Sequence, residues 1–142
     1  MANAIYAFLG ALGFTHPVHP ILVHITIGSV VGAFVFGLIA WLFKRPVLYA
    51  TARHGSVLGL VSAFFTVFMG VMDWQYRFGG EWPYPIILTK MILSGVLFLI
   101  LFAVVLVNRR VPKDSKIPLV FYTAAAVDVL AIGLFGGRLV YG

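Results

Sequence analysis

The stretch THPVHPILVH at residues 15–24 places His16, His19 and His24 around two prolines at the entrance to a long apolar run. Neutral imidazoles suit Zn, Fe, Cu or Mn, and with a carboxylate such as Asp73 these three could converge on one transition-metal ion. The H-x2-H-x4-H spacing is not the H-E-x-x-H pair of a metalloprotease, so it points to a site without fixing its metal. The second chemistry open to these residues is ligation of haem b, which asks only for axial side chains and an apolar slot between helices. In that version His24 is the best single ligand, His19 stands beside it, and Arg138 is placed to pair with a propionate. His54 lies at the far end of the next apolar run, roughly 20 Å away at a helical rise of 1.5 Å per residue, too far to share one haem with His24.

Lys90 and Asp128 also stand inside apolar runs. Ionisable groups in a bilayer are costly unless they pair or serve a pathway, so the two are candidates for an ion pair or a proton relay. Lys90 reaches Asp73 if it snorkels outward and Asp128 if it folds inward. The plain alternative is that Lys90 only snorkels while Asp128 stays protonated in apolar surroundings. The chain has no cysteine, which excludes disulfides, C-x-x-C-H haem attachment and thiolate metal sites. It also has no G-x-S-x-G, Walker A or dinucleotide fingerprint, so nothing indicates hydrolase or nucleotide chemistry.

The elements that must position these residues are membrane spans. Of 142 residues, 62% are apolar and 10% charged, and the mean hydropathy is +1.06. The first 43 residues contain no Asp, Glu, Lys or Arg. Four runs approach the ~20 residues needed to cross a bilayer: about 20–43, 47–74, 85–107 and 117–137. Together they use up the chain as a single transmembrane domain. The net charge of +6 is not gathered on an amphipathic face interleaved with aromatics, so no nucleic-acid partner is expected. It marks topology: Lys44, Arg45 and Arg53 flank the first connection, and Arg109, Arg110, Lys113 and Lys116 the third. By the positive-inside rule both face the cytoplasm, and both termini, with Trp74, Trp82 and Tyr84, face outward.

The expected fold is therefore all-α: an integral membrane four-helix bundle with a short N-terminal interfacial helix carrying Ile5, Phe8, Leu9 and Leu12 at helical spacing. The N-terminus lacks the positive n-region of a secretory signal and is not expected to be removed. Helices approach closely in lipid where small residues line up. His24, Gly28 and Gly32 recur at steps of four and predict that His24 faces a neighbouring helix. Gly59, Ala63, Thr66, Gly70 and Asp73 form a second seam, and Ala124, Asp128 and Ala131 a third.

HPVHPILVH, with His19-Pro20 and Val23-His24, then Gly70 and Asp73-Trp74, then GGRLVYG at residues 136–142, resembles the bacterial membrane family called domain of unknown function 2231. The resemblance implies a four-span protein of the bacterial cytoplasmic (inner) membrane, and its association with cytochrome c-like domains implies redox work. It directs attention to His19, His24, Asp73, Gly136, Gly137 and Tyr141. Near the start of the third span, where the resemblance leads one to expect a histidine, this chain carries Lys90.

The leading expectation is a small membrane subunit with an outer pocket built from His19, His24, Asp73 and Lys90, Asp128 lying beneath. The pocket would hold haem b or a metal ion and pass electrons within a larger assembly, through cytochrome-like subunits or self-association. One rival is a non-catalytic accessory or anchoring subunit. The other is a proton or small-solute pathway through Asp128 and Lys90, against which the halves of the chain show no internal repeat.

Overall fold

The computed structural model describes residues 1–14, 18–77, 79–80, 85–112 and 115–141, with side chains up to residue 137. Among the described residues there are five helices: α1 (Ala2–Ala11), α2 (His19–Phe43), α3 (Pro46–Arg77), α4 (Pro85–Arg110) and α5 (Ile117–Tyr141). The last four supply apolar segments long enough to cross a membrane. Each has proline in its first two positions, namely Pro20, Pro46, Pro85 and Pro118. There the missing N–H removes no helical bond and the fixed φ suits the first turn.

The stops are as local as the starts. α2 ends at Lys44, which adopts the left-handed conformation with φ 51° while its N–H bonds the carbonyl of Ala40. Only Lys44 and Arg45 separate α2 from α3, so the two must run antiparallel as neighbours. α5 opens with Ser115, whose Oγ accepts the N–H of Ile117 at 3.3 Å, a capping role that hydroxyl residues fill well.

The four long helices form a closed ring in which α2 packs on α3 and α5, and α4 on α3 and α5. The α2–α3 contact is the most extensive. Buried along these two helices are Thr26, Val30, Ala33, Gly37 and Ala40 from α2 and Ala52, Ser56, Gly59, Ser62 and Ala63 from α3. Large apolar side chains such as Phe64, Phe65, Leu99, Val120, Val127 and Leu134 point outward. In lipid this distribution is reasonable: outward burial of apolar bulk is satisfied by acyl chains, while close helix approach selects small residues. Val30, Leu101, Val104 and Val129 fill the centre.

Two clusters of polar groups inside the ring are paired. Thr26 Oγ1 lies 3.1 Å from the Leu22 carbonyl oxygen, 3.1 Å from Ser62 Oγ and 2.9 Å from Thr66 Oγ1, its single proton serving one acceptor at a time. Nearer the basic connections, Asn108 Nδ2 donates to Ser56 Oγ (3.2 Å) and Tyr122 Oη (3.0 Å), while Tyr122 Oη donates to Asn108 Oδ1 at 3.2 Å. The first cluster ties α2 to α3, and the second ties α3, α4 and α5. α1 rests on the opposite end of α3, where Tyr6 stacks on Tyr76 with ring centroids 4.3 Å apart.

Candidate functional site

Because neighbouring helices alternate in direction, the start of α2, the end of α3, the start of α4 and the end of α5 meet at one end of the bundle, away from the basic connections. They enclose a cleft of about 530 Å³ lined by residues including His19, Gly70, Asp73, Trp74, Lys90 and Met91. Arg77, Ser94 and Gly136 complete its polar and narrow edges. Volumes of roughly 300–1,000 Å³ are typical of small-molecule and cofactor sites.

His19 is held most firmly. It occupies the first position of α2 but does not cap its own helix. Its ring crosses to α3, where Nδ1–H donates to the Thr66 carbonyl at 2.9 Å. This approach requires Gly70: a Cβ there would stand 2.9 Å from His19 Cε1 and 3.2 Å from Nδ1. With Nδ1 carrying the proton, the neutral ring keeps its Nε2 lone pair for a ligand, the arrangement found where backbone carbonyls orient metal- or haem-binding imidazoles.

Across the cleft, Lys90 Nζ lies 3.5 Å from the position a Cβ on Gly136 would take. Asp73 Oδ1 is buried without a hydrogen-bond partner. The charge acting most directly on Asp73 is Arg77, one turn along α3, and the one acting on His19 is Lys90. Among the described residues no ion pair joins Lys90 to Asp73 or to Asp128.

His19, Asp73 and Lys90 line one cleft, whereas His24 and Asp128 are not among its lining residues. His24 is exposed on the lipid-facing side of α2, its Nδ1–H donating at 2.6 Å to the Pro20 carbonyl of its own helix. Nothing lies within 4 Å of a Cβ placed on Gly28 or Gly32. The small-residue stripe through His24 is not the one that packs. Thr26 stands about 200° round the helix from His24, and the stripe through Thr26 wins because its hydroxyl meets Ser62 and Thr66. Asp128 is half-buried on α5 away from the cleft, its Oδ2 unpartnered, and Ala124 of its expected seam is exposed.

His16, Trp82, Tyr84 and Lys113 lie outside the described residues, as do the side chains of Arg138 and Tyr141. Among the described residues no three of His, Asp and Glu gather in metal-binding proximity. Arg77 and Met91, which also line the cleft, carried no sequence signal beyond their position one turn from Asp73 and one residue from Lys90.

Fold and cleft define a polytopic membrane protein with a polar cavity near one end of its helices. The sequence model of a family described as "predicted membrane protein (DUF2231)" matches residues 15–142. The chain belongs to that family. No curated protein and no solved structure matches it.

Proposed function

We propose that the chain is a small redox subunit whose cleft binds b-type haem, with His19 as the axial ligand. The observation that carries this reading is the His19 Nδ1–Thr66 carbonyl bond, which leaves Nε2 as a lone-pair donor within a cavity of about 530 Å³. Apolar walls from Val67, Val71, Ile87 and Met91 suit a porphyrin face. Lys90 and Arg77 provide cations for propionates, the role expected at first of Arg138. A bare metal ion is less well served, since it needs several convergent protein ligands. Electron exchange would pass to cytochrome-like partners at the same, extracytoplasmic, membrane face. The test is an oxidised and reduced absorbance spectrum of purified protein: a Soret band that disappears in His19→Ala supports the reading, and its absence from the parent protein after haem supplementation overturns it.

A second reading is an accessory or anchoring subunit. It is favoured by His24, an imidazole facing outward beside Gly28 and Gly32, where another membrane chain could approach closely. Crosslinking from position 24 to a co-purifying chain, in protein that never acquires haem, would select it.

A further inference from the structure

The ring sets α2 and α4 on one diagonal of the bundle and α3 and α5 on the other, since α2 and α4 each pack on α3 and α5. Neighbouring helix axes stand about 8–10 Å apart, so diagonal axes are roughly 11–14 Å apart. A flat group seated between the members of a diagonal pair presents one face to each. His19 enters the cleft from α2, so a side chain acting on the opposite face has to come from α4.

Four side chains of α4 line the cleft: Ile87, Lys90, Met91 and Ser94. Lys90 is turned aside, its Nζ lying 3.5 Å from the Cβ position of Gly136 on α5, and an ammonium has no lone pair to give. Ser94 lies one turn beyond Lys90, on the same side of the helix. Successive helical residues differ by about 100°, so the side chain after Lys90 leaves α4 in another direction while still lining the cleft. That side chain is Met91, with Ile87 one turn before it on the same stripe. The remaining lone-pair donors, Thr66 and Asp73, stand on α3, beside His19 and not across from it. Trp74 and Arg77 only donate.

We infer that the Met91 thioether is the second axial ligand of the haem whose first is His19. The inference rests on the haem reading of the cleft and adds its coordination. Imidazole with thioether is the ligand pair of electron-carrying haems, and the sulfur raises their reduction potential. With both axial positions held by the protein, iron takes up and releases one electron while its ligands stay the same, and no position is left for oxygen. Met91 therefore does more than wall the cleft: it sets the site for electron transfer.

The experiment uses the full chain purified in detergent and loaded with haemin, with absorbance read from the visible to the near-infrared and carbon monoxide added to the reduced form. The parent should be low-spin, show a sulfur-to-iron charge-transfer band and resist carbon monoxide. Met91→Leu should keep the Soret band through His19, turn high-spin, lose the charge-transfer band and bind carbon monoxide. Met91→His should return to low spin without that band and with a lower reduction potential than the parent. Leucine and methionine are close in volume, so unloaded Met91→Leu should melt with the parent, which separates ligation from packing. A Met91→Leu protein that stays low-spin and resists carbon monoxide, while His19→Ala loses the Soret band, overturns this inference alone. Conversion to high spin in Lys90→Gln instead would move the ligand to the amine and overturn it as well. Absence of a Soret band from the loaded parent overturns the haem reading and the inference together.

Discussion

The imidazole of His19 occupies the space that a side chain at position 70 would need, its Cε1 2.9 Å from the Cβ position of Gly70. A glycine in the middle of α3 costs helix stability, and the contact gives it a purpose. Gly70→Ala should push the ring off the Thr66 carbonyl and cost about 1–3 kcal/mol in overpacking. Thermal unfolding in detergent measures the first effect, and the Soret-to-protein ratio measures loss of ligand. A variant matching the parent in both would contradict the arrangement.

The two histidines of α2 should separate cleanly. His19→Ala abolishes the haem spectrum while His24→Ala leaves it intact, because the position-24 ring bonds only its own helix. Loss of the spectrum in His24→Ala instead would place the ligand on the outward face.

Asn108 is the junction of three helices, so its effect should be non-additive with that of Tyr122. A double-mutant cycle of Asn108→Ala and Tyr122→Phe should give a coupling of about 0.6–1.7 kcal/mol, the range for hydrogen bonds between membrane helices. A coupling near zero would mean that the bonds at 3.0 and 3.2 Å contribute nothing.

Gly37 meets the same tyrosine from the other side, with Tyr122 Cδ2 2.8 Å from its Cβ position. Gly37→Ala should therefore lower the melting temperature in the parent and do so much less in a Tyr122→Ala background. Equal losses in both backgrounds would show that the aromatic ring is not what the added methyl meets.

Asp128 is not among the residues that line the cleft, and among the described residues no ion pair joins it to Lys90. Its unpartnered Oδ2 predicts that Asp128→Leu leaves stability unchanged or raised, since an apolar replacement removes an unsatisfied group. Proton flux across liposomes should be the same for the parent and Asp128→Asn. A flux that falls in the variant would reinstate the relay.

Much of the fold was legible because bilayers demand little else: four apolar runs, prolines at their starts and cations at two connections specify an antiparallel four-helix ring. The α3 seam was legible too, since Gly59, Ala63 and Gly70 lie at helical steps and do pack. The face of α2 was not. Its sequence offers one small-residue stripe through Gly28 and Gly32 and another through Ala33, Gly37 and Ala40. What decides between them is a hydroxyl partner on another helix, which no single-helix periodicity contains. Asn108 was missed for a related reason: one amide beside Arg109 resembles a boundary residue until Ser56 and Tyr122 are brought to it.

The two polar clusters have a mechanical consequence. With Thr26 bonded to Ser62 and Thr66, sliding α2 along α3 by a turn, about 5.4 Å, would break both interhelical hydroxyl contacts. Asn108 pins α4 at the basic end, whereas among the described residues its other end has only Thr89 bonded to its own Pro85 carbonyl. α4 is therefore tied to its neighbours by side-chain hydrogen bonds at the basic end, while the wall bearing Lys90 and Met91 relies on helix packing against α3 and α5.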